Sequence, residues 1–367
     1  MKKSIYGAAV LAVAALTLAA CGQAPADEAT SDSGEATSDA AMSDVKACLV
    51  SDAGGFDDQS FNQAGFEGLE RAESELGVEI NSIESASDAD FAPNIDAMIQ
   101  DGCTYVIGAG FLLENAVQEA AEANPEINFG LVDSGFSADD FSPVEVANGK
   151  PLLFNTVEAA FLGGYVAAAM SESGTVATYG GLPIPSVQIF MDGYALGIEQ
   201  YNTDNGTDVQ LLGWDIEAQE GDFTGDFDNQ SNGQNLTQTF LSQGADVILP
   251  VAGPVGLGTG AALEAAGSGT MIWVDSDGYL TTDYGSLIVT SVMKEIGAAV
   301  FDSIKEQVDG SFSNAAYIGT LENEGIGLAP FHDFEGTVPQ EVVDRVTELQ
   351  EQIISGEVTV ESANSPS

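Results

Sequence analysis

Residues 103–132 read CTYVIGAGFLLENAVQEAAEANPEINFGLV, and this stretch decides the fold class. The apolar runs 105–108 and 128–132 have the length and composition of buried strands. The segment 113–123 between them has the pattern of a helix. A strand, a helix and a second strand in this order predict a βαβ unit, in which the strands run parallel.

The same alternation extends from this stretch in both directions along the chain. It begins with strands near 47–50 and 78–83 and helices near 61–75 and 91–100. A second series follows, with strands near 152–155, 175–179, 209–212, 247–251 and 271–274 and helices near 158–170, 187–201, 233–243 and 260–266. Two successive series predict an α/β protein with two Rossmann-like lobes. Ligands of such sheets bind at the carboxyl ends of the strands, so the cleft between the lobes is the expected site.

The N-terminus has the pattern of an export signal. Lys2-Lys3 precedes an apolar run that ends in Leu18-Ala19-Ala20-Cys21. We expect residues 1–20 to be a signal peptide, although an apolar anchor with an incidental cysteine stays open. The run resembles a bacterial lipobox, which implies that Cys21 carries a lipid and holds the protein on the extracytoplasmic face of the cell membrane. Residues 21–44 are small, acidic and rich in Ser and Ala, which predicts a disordered tether.

The charge balance is strongly acidic, with 8 Lys+Arg against 58 Asp+Glu and a formal net charge of −50. Binding to phosphates requires clustered cations, so the composition excludes nucleic acid as a partner. Salt screens the self-repulsion of such a surface, which suits a protein in salty surroundings. The acidity is equally explained by the composition of a whole lineage, and the sequence leaves both explanations open.

Two cysteines follow the lipobox, Cys48 and Cys103. Each begins an apolar, strand-like run, and disulfides persist in exported proteins. If the two strands are neighbours in a parallel sheet, the cysteines can form a disulfide. The alternative is a pair of buried thiols.

Several motifs follow one another in an order that resembles a known family. Residues 51–62 read SDAGGFDDQSFN. The later segments are EAAFLGGY from Glu158, GGLPIPSVQIFMDGYALG from Gly180, GADVI from Gly244, VDSD from Val274 and TSVMK up to Lys294. Together they resemble the basic membrane protein family of substrate-binding lipoproteins, which includes purine-nucleoside receptors of ABC importers. The resemblance covers residues 45–335.

The resemblance implies a type I periplasmic-binding-protein fold with a hinge, in which the chain crosses three times between the lobes. The lobes are then expected to contain residues 45–172 plus about 295–315, and residues 173–294 plus about 316–335. Residues 336–367 form a C-terminal helix and tail. The implied function is delivery of a nucleoside to an ABC permease with its ATPase, by a monomer that is not an enzyme and uses no cofactor.

The same resemblance places ligand-binding roles on residues of the quoted motifs. It implies that Phe61 and Phe190 stack on the base. It implies that Asp275 and Lys294 bind the ribose, and that Asp52, Asp58 and Asn62 make polar contacts with the base or the sugar. A glycine after the strand 247–251 would let the backbone approach the ligand. These residues are Asp52, Asp58, Phe61, Asn62, Phe190, Gly253, Asp275 and Lys294. Core packing is the alternative for each phenylalanine, and capping of the next helix is the alternative for Asp58.

Other functional classes have weaker support in the sequence. Gly256-Leu-Gly258-Thr-Gly260 follows a strand and precedes Asp275 by about twenty residues, as in an NAD-dependent oxidoreductase. A sugar or an autoinducer-like furanose is the alternative ligand for the same fold. His332, the single histidine, has no nucleophile motif beside it and is expected to be structural. No catalytic residue and no metal ligand is predicted.

Overall fold

A computed structural model describes residues 44–138 and 142–366. The predicted signal peptide, the predicted lipidation site Cys21 and nearly all of the predicted tether lie outside the described residues. Within the described ranges, no helix is both long and apolar enough to span a membrane.

Strands and helices alternate along most of the chain. The strands are β1 Lys46–Ser51, β2 Glu79–Ile83, β3 Tyr105–Ala109, β4 Asn128–Val132, β5 Gly149–Phe154, β6 Thr175–Gly180, β7 Gln210–Leu212, β8 Trp214–Asp215, β9 Glu220–Gly221, β10 Val247–Val251, β11 Thr270–Asp275, β12 Ile288–Lys294, β13 Tyr317–Gly319 and β14 Ile326–Leu328. The α-helices are α1 Phe61–Leu76, α2 Asp88–Gln100, α3 Glu114–Ala123, α4 Val157–Met170, α5 Pro185–Asn205, α6 Gln230–Ser242, α7 Leu257–Ala266, α8 Gly278–Thr281, α9 Ile296–Val308 and α10 Gln340–Ile354.

Twelve of these strands form two large sheets, each at the centre of one lobe, while β8 and β9 pair with each other in a small antiparallel sheet. The first sheet has the order β13-β5-β4-β3-β1-β2, with every pairing parallel. The second has the order β14-β12-β11-β10-β6-β7, in which the edge strand β14 runs antiparallel to β12 and the other pairings are parallel. The prediction of an α/β fold with two Rossmann-like lobes is therefore confirmed.

Alternate residues of the central strands face two different hydrophobic layers. In β1, Ala47 and Leu49 pack into one layer, while Cys48 and Val50 pack into the other. All four are completely buried, because helices cover both faces of the sheet. Full burial of a side chain such as Leu49 stabilises the fold by about 1.5–3 kcal/mol, so continuous apolar runs are what such strands require.

A disulfide joins two neighbouring strands of the first sheet. β1 and β3 pair directly, and Cys48 on β1 is bonded to Cys103, which lies just before β3. Their Cα atoms are 6.0 Å apart, within the usual range for a disulfide. The bond closes a loop between residues 55 positions apart in the chain, which lowers the conformational entropy of the unfolded state.

The chain passes between the two sheets at three places: after β5, after β12 and after β13. Hydrogen bonds tie these crossings together. Asn155 N donates to Gly319 O at 2.8 Å, and Glu295 N donates to Gly325 O at 2.9 Å. After the second crossing, α9 packs against α1 of the first lobe. The crossings therefore lie side by side, as in a hinge.

The observed lobes differ from the expected boundaries at two elements. Helix α4 was expected in the first lobe within residues 45–172, but it packs against β6, β10, β12 and β14 of the second sheet. It also lies so close to α5 that a Cβ on Gly197 would be 1.9 Å from Phe161 O. Strand β13 was expected in the second lobe within about 316–335, but it pairs with β5 in the first sheet. Both expectations were wrong because long-range packing and pairing decide where these elements lie.

Candidate ligand-binding site

A cavity lies between the lobes at the carboxyl ends of the strands. Asp52 follows β1 and Asp133 follows β4 in the first lobe, while Asp275 ends β11 and Lys294 ends β12 in the second. The cavity has about 530 Å³ of empty space, part of it open to solvent. This is the place expected of a small-molecule site in an open parallel sheet.

The structure brings together all the residues to which sequence analysis assigned ligand-binding roles. Each of the following lines this one cavity: Asp52, Asp58, Phe61, Asn62, Phe190, Gly253, Asp275 and Lys294. They come from positions separated by as many as 242 residues, since 294 − 52 = 242. Their shared location supports a common role, while the contact that each makes with a ligand remains a prediction.

Lys294 connects the two lobes. Its side chain is 2% exposed, and its Nζ pairs with Asp133 Oδ2 of the first lobe and lies 3.2 Å from Asp275 Oδ1 of the second. Burial lowers the pKa of Lys294, but the two carboxylates outweigh burial and raise it above its ordinary value. The ammonium therefore stays charged inside the cleft.

Aromatic rings surround the same ammonium. Lys294 Nζ is 5.1 Å from the ring centroid of Phe61, 5.0 Å from that of Phe190 and 5.9 Å from that of Phe154. Phe61 begins α1 of the first lobe, and Phe190 lies on α5 of the second. Cations within about 6 Å of a ring are attracted to its face. The rings thus stabilise the buried charge and form apolar walls on both sides of the cleft.

The carboxylates on either side of Lys294 are held by strained backbone. Asp133 has φ of 63° and Asp275 has φ of 67°, which is the left-handed region that few residues other than glycine adopt. Each such conformation costs about 1–3 kcal/mol, and conformations of this kind cluster at functional sites. The strain turns both carboxylates toward Lys294 at the point where each strand ends.

Asn62 presents a buried hydrogen-bond acceptor without a protein donor beside the carboxylate of Asp52. Asn62 Nδ2 donates to Ala53 O at 2.8 Å and approaches Asp52 Oδ1 at 3.4 Å, whereas Asn62 Oδ1 is buried and has no partner among the described residues. Gly110, at φ of 117°, makes room for the carboxylate, since a Cβ there would be 1.9 Å from Asp52 Oδ2. Unpaired buried acceptors are costly, so a ligand with N–H or O–H donors would satisfy them.

Asp58 caps the helix that carries Phe61. Its carboxylate accepts from the backbone N–H groups of Ser60 at 2.9 Å, Asn62 at 2.8 Å and Gln63 at 3.0 Å. Burial raises the pKa of Asp58 to about 6, and the three backbone donors oppose that rise. The capping alternative therefore accounts for both carboxylate oxygens, and Asp58 positions α1 at the cavity wall.

The lobes touch each other directly beside the cavity. Ser60 Oγ donates to Asp275 Oδ2 at 3.0 Å, and the hydroxyls of Ser276 and Thr281 donate to Gln59 O at 3.1 and 3.0 Å. Gln59 and Ser60 precede α1 of the first lobe. Asp275 ends β11 of the second lobe, and the two hydroxyl residues follow it. These contacts describe a closed arrangement of the cleft.

Asp133 is the principal site residue that sequence analysis did not identify. It follows β4 in the triplet Val132-Asp133-Ser134, which repeats the triplet Val274-Asp275-Ser276 after β11. The repetition of this triplet after two apolar strands was a usable signal. The cavity lining also includes Phe111 and Phe227, whose sequence surroundings contain no comparable pattern.

The glycines that resemble a dinucleotide fingerprint have packing roles. A Cβ on Gly258 would be 2.0 Å from Gln230 O of α6, and one on Gly260 would be 2.4 Å from the ring of Tyr284. A Cβ on Gly256 would be 2.9 Å from the ring of Trp273. Close packing therefore explains why glycine occupies these positions, and binding of a dinucleotide pyrophosphate is not needed to explain it.

The single histidine belongs to a separate cluster on the second lobe. His332 Nε2 lies 2.7 Å from Asp277 Oδ2, and its ring stacks on Tyr279 with centroids 4.1 Å apart. Among the residues that the structure describes, no group of three or more His, Cys, Asp or Glu side chains is arranged to hold a metal ion.

Comparison with known proteins gives consistent similarities. Residues 45–364 match the family model described as ABC transporter substrate-binding protein PnrA-like. The chain is 28% identical over 337 residues to the ABC transporter nucleoside-binding protein BmpA of Lactococcus lactis subsp. cremoris, covering 87% of this chain and 89% of that one. It is 30% identical over 330 residues to an uncharacterized lipoprotein of Pyrococcus abyssi, covering 84% and 78%. A solved structure, an ABC transporter solute-binding protein of Aeropyrum pernix K1, matches with a TM-score of 0.76 and 25% identity, covering 86% of this chain and 92% of that one.

Burial of Asp52 leads to a prediction about pH. Desolvation raises the pKa of Asp52 well above the ordinary value of 3.8, so the native state binds this proton more tightly than the unfolded chain does. The contribution of Asp52 to stability is therefore fully present below that ordinary value and is lost as the pH rises through the raised pKa. We expect Asp52→Asn to match the wild-type unfolding midpoint near pH 4 and to exceed it near pH 8, in thermal unfolding without ligand.

The exposed neighbour Asp57 supplies the control. Asp57→Asn should follow the wild-type midpoint across the same pH range. A midpoint of Asp52→Asn that stays parallel to the wild-type curve would contradict the prediction.

Proposed function

This chain belongs to the PnrA-like family of ABC transporter substrate-binding proteins, and we propose that its cleft binds a purine nucleoside. One observation carries the proposal: Lys294, which pairs with Asp133 and Asp275 from opposite lobes, lies 5.1 Å from the ring centroid of Phe61 and 5.0 Å from that of Phe190. This arrangement offers apolar faces for a flat base next to charged groups suited to ribose hydroxyls.

The ribose is assigned to the end of the cavity that Asp275 and Lys294 form. Asp275 Oδ1 is buried, lies 3.2 Å from Lys294 Nζ and has no other partner among the described residues. A carboxylate can accept from adjacent hydroxyls through its remaining lone pairs, and the ammonium can donate to the sugar oxygens. Both groups would thus make charge-assisted hydrogen bonds with a ribose.

The base is assigned to the end formed by Asp52 and Asn62, between the two phenylalanine rings. Asn62 Oδ1 lacks a donor, and the carboxylate of Asp52 is approached at 3.4 Å by one amide. Base N–H groups are donors of the right kind for these acceptors. Four carboxylates and one lysine line the cavity, so an uncharged ligand fits it better than a phosphorylated one.

The relatives support the same ligand class. The BmpA of Lactococcus lactis is named a nucleoside-binding protein, and its similarity covers 87% of this chain and 89% of that protein. In a protein with two lobes and a hinge, the lobes close on the solute. The closed form then binds the permease, which works with an ATPase. A lipid on Cys21 would hold the protein at the extracytoplasmic face of the membrane, in keeping with relatives named lipoproteins.

Removal of an aromatic wall tests the assignment of the base. We expect Phe61→Ala to weaken binding of inosine, adenosine or guanosine by about 2–4 kcal/mol, because apolar contact is lost and a cavity remains. Isothermal titration calorimetry measures the change. Phe66→Ala is the matched control, since Phe66 lies on the same helix, is also half-buried and stacks on Phe56 at 4.9 Å, outside the cavity. Equal losses in the two variants would contradict the assignment.

Discrimination between ribose and deoxyribose tests the assignment of the sugar. The wild-type protein should bind a ribonucleoside more tightly than its 2′-deoxy form, because Asp275 accepts from the hydroxyl that the latter lacks. Asp275→Asn tolerates the left-handed backbone and removes the charge, so it should reduce this preference by about tenfold. Asp309→Asn, an exposed change, should preserve the preference. If the preference persists in Asp275→Asn, ribose does not bind Asp275.

A further inference from the structure

A second cavity adjoins the ligand site. Phe111, Asp133 and Ser186 line both spaces, and the second, which we call the side chamber, continues past Glu114, Gly135 and Asn364. It has about 830 Å³ of empty space, part of it open to solvent, compared with about 530 Å³ for the ligand cavity. The side chamber is therefore large enough to receive part of a ligand that is longer than a nucleoside.

The C-terminal segment around Ser362 and Asn364 closes one side of the chamber, and hydrogen bonds to Asp192 hold it in place. Asp192 on α5 is completely buried and accepts from Trp214 Nε1 at 3.0 Å and Gln219 Nε2 at 2.8 Å. It also accepts from Ser362 Oγ at 2.5 Å and Asn364 Nδ2 at 2.9 Å. Charge-assisted bonds of this kind are about twice as strong as neutral ones. Asn364, which lines the side chamber, is thus fixed to the second lobe by its hydrogen bond to Asp192.

The chemistry of the chamber excludes one class of substituent. No Lys, Arg or His is found among its described lining residues, which include the carboxylates of Asp133 and Glu114. Ser134 Oγ donates to Glu114 Oε2 at 2.6 Å, which keeps that carboxylate hydrogen-bonded. Phe111, Phe136 and Ile189 supply apolar surface beside these groups. A phosphate would be repelled here, whereas an uncharged or cationic group with an apolar body would be accommodated.

We propose that the side chamber is a subsite for an uncharged or cationic substituent on the sugar of the nucleoside. The inference rests on the proposed function, which puts the sugar beside Lys294 and its partners Asp133 and Asp275. Asp133 belongs to the walls of both cavities, so a substituent on the sugar points past it into the chamber. The class of ligand is a purine nucleoside modified at the 5′ position by a group such as an alkylthio or amino function.

A glycine in the chamber wall allows a direct test. Gly135 lines the chamber, and a Cβ built on it meets no atom within 4 Å, so a larger side chain can occupy the space without a clash at its base. We expect Gly135→Phe to weaken binding of the 5′-methylthio derivatives of adenosine and inosine by about tenfold or more. The parent nucleosides should change by less than about twofold, because their part of the cavity is untouched.

Gly327→Phe is the matched control. Gly327 also has no atom within 4 Å of an added Cβ, and it lines neither cavity. It should leave the affinity of parents and derivatives within about twofold of the wild-type values.

In the wild-type protein, the 5′-monophosphates should bind at least about tenfold more weakly than the parent nucleosides, because the carboxylates of the chamber repel the phosphate.

The outcomes separate the subsite from the proposed function. If the parents bind and the methylthio derivatives do not, or if Gly135→Phe weakens both to the same extent, the subsite is refuted while the nucleoside site stands. Monophosphates that bind as tightly as the methylthio derivatives would refute the charge argument and the subsite with it. If neither parents nor derivatives bind, the proposed function fails and the subsite fails with it.

Discussion

The ion pairs of Lys294 with Asp133 and Asp275 are the interaction on which the site depends. Burial of an ammonium costs several kcal/mol unless good partners surround it, and here one partner comes from each lobe. Both partners lie in left-handed backbone that costs about 1–3 kcal/mol each. The protein therefore holds an energetically unfavourable arrangement at a point where the lobes meet, and a ligand bound there can offset that free energy.

The parallel sheets explain why such distant residues meet. The carboxyl ends of the parallel strands lie at one end of each sheet, and these two ends face each other across the cleft. The crossings after β5, β12 and β13 connect the sheets at one side, so rotation about them opens or closes the facing edges. The same geometry brings the side chamber next to the ligand cavity, since Asp133 at the end of β4 stands between them.

Much of the fold and of the site could be predicted because local patterns carried the information. Apolar runs predicted the strands, and the resemblance of several motifs to a known family pointed to residues that line the cavity, such as Asp52, Phe61 and Lys294. Asp133 was not identified, although the repeated triplet Val-Asp-Ser contained the signal. Lobe membership could not be predicted for α4, because nearly all its residues are buried and no single face indicates its sheet. It could not be predicted for β13 either, because three residues form too short a run.

Thermal unfolding of the chain without residues 1–21 shows whether the cleft binds a purine nucleoside. The midpoint should be measured in high salt with adenosine, guanosine and inosine, and with free ribose and NAD for comparison. A ligand that binds only the folded state raises the midpoint, so we expect at least one purine nucleoside to raise it by more than ribose or NAD does. A flat response to every nucleoside, with a rise for ribose or NAD, would contradict it.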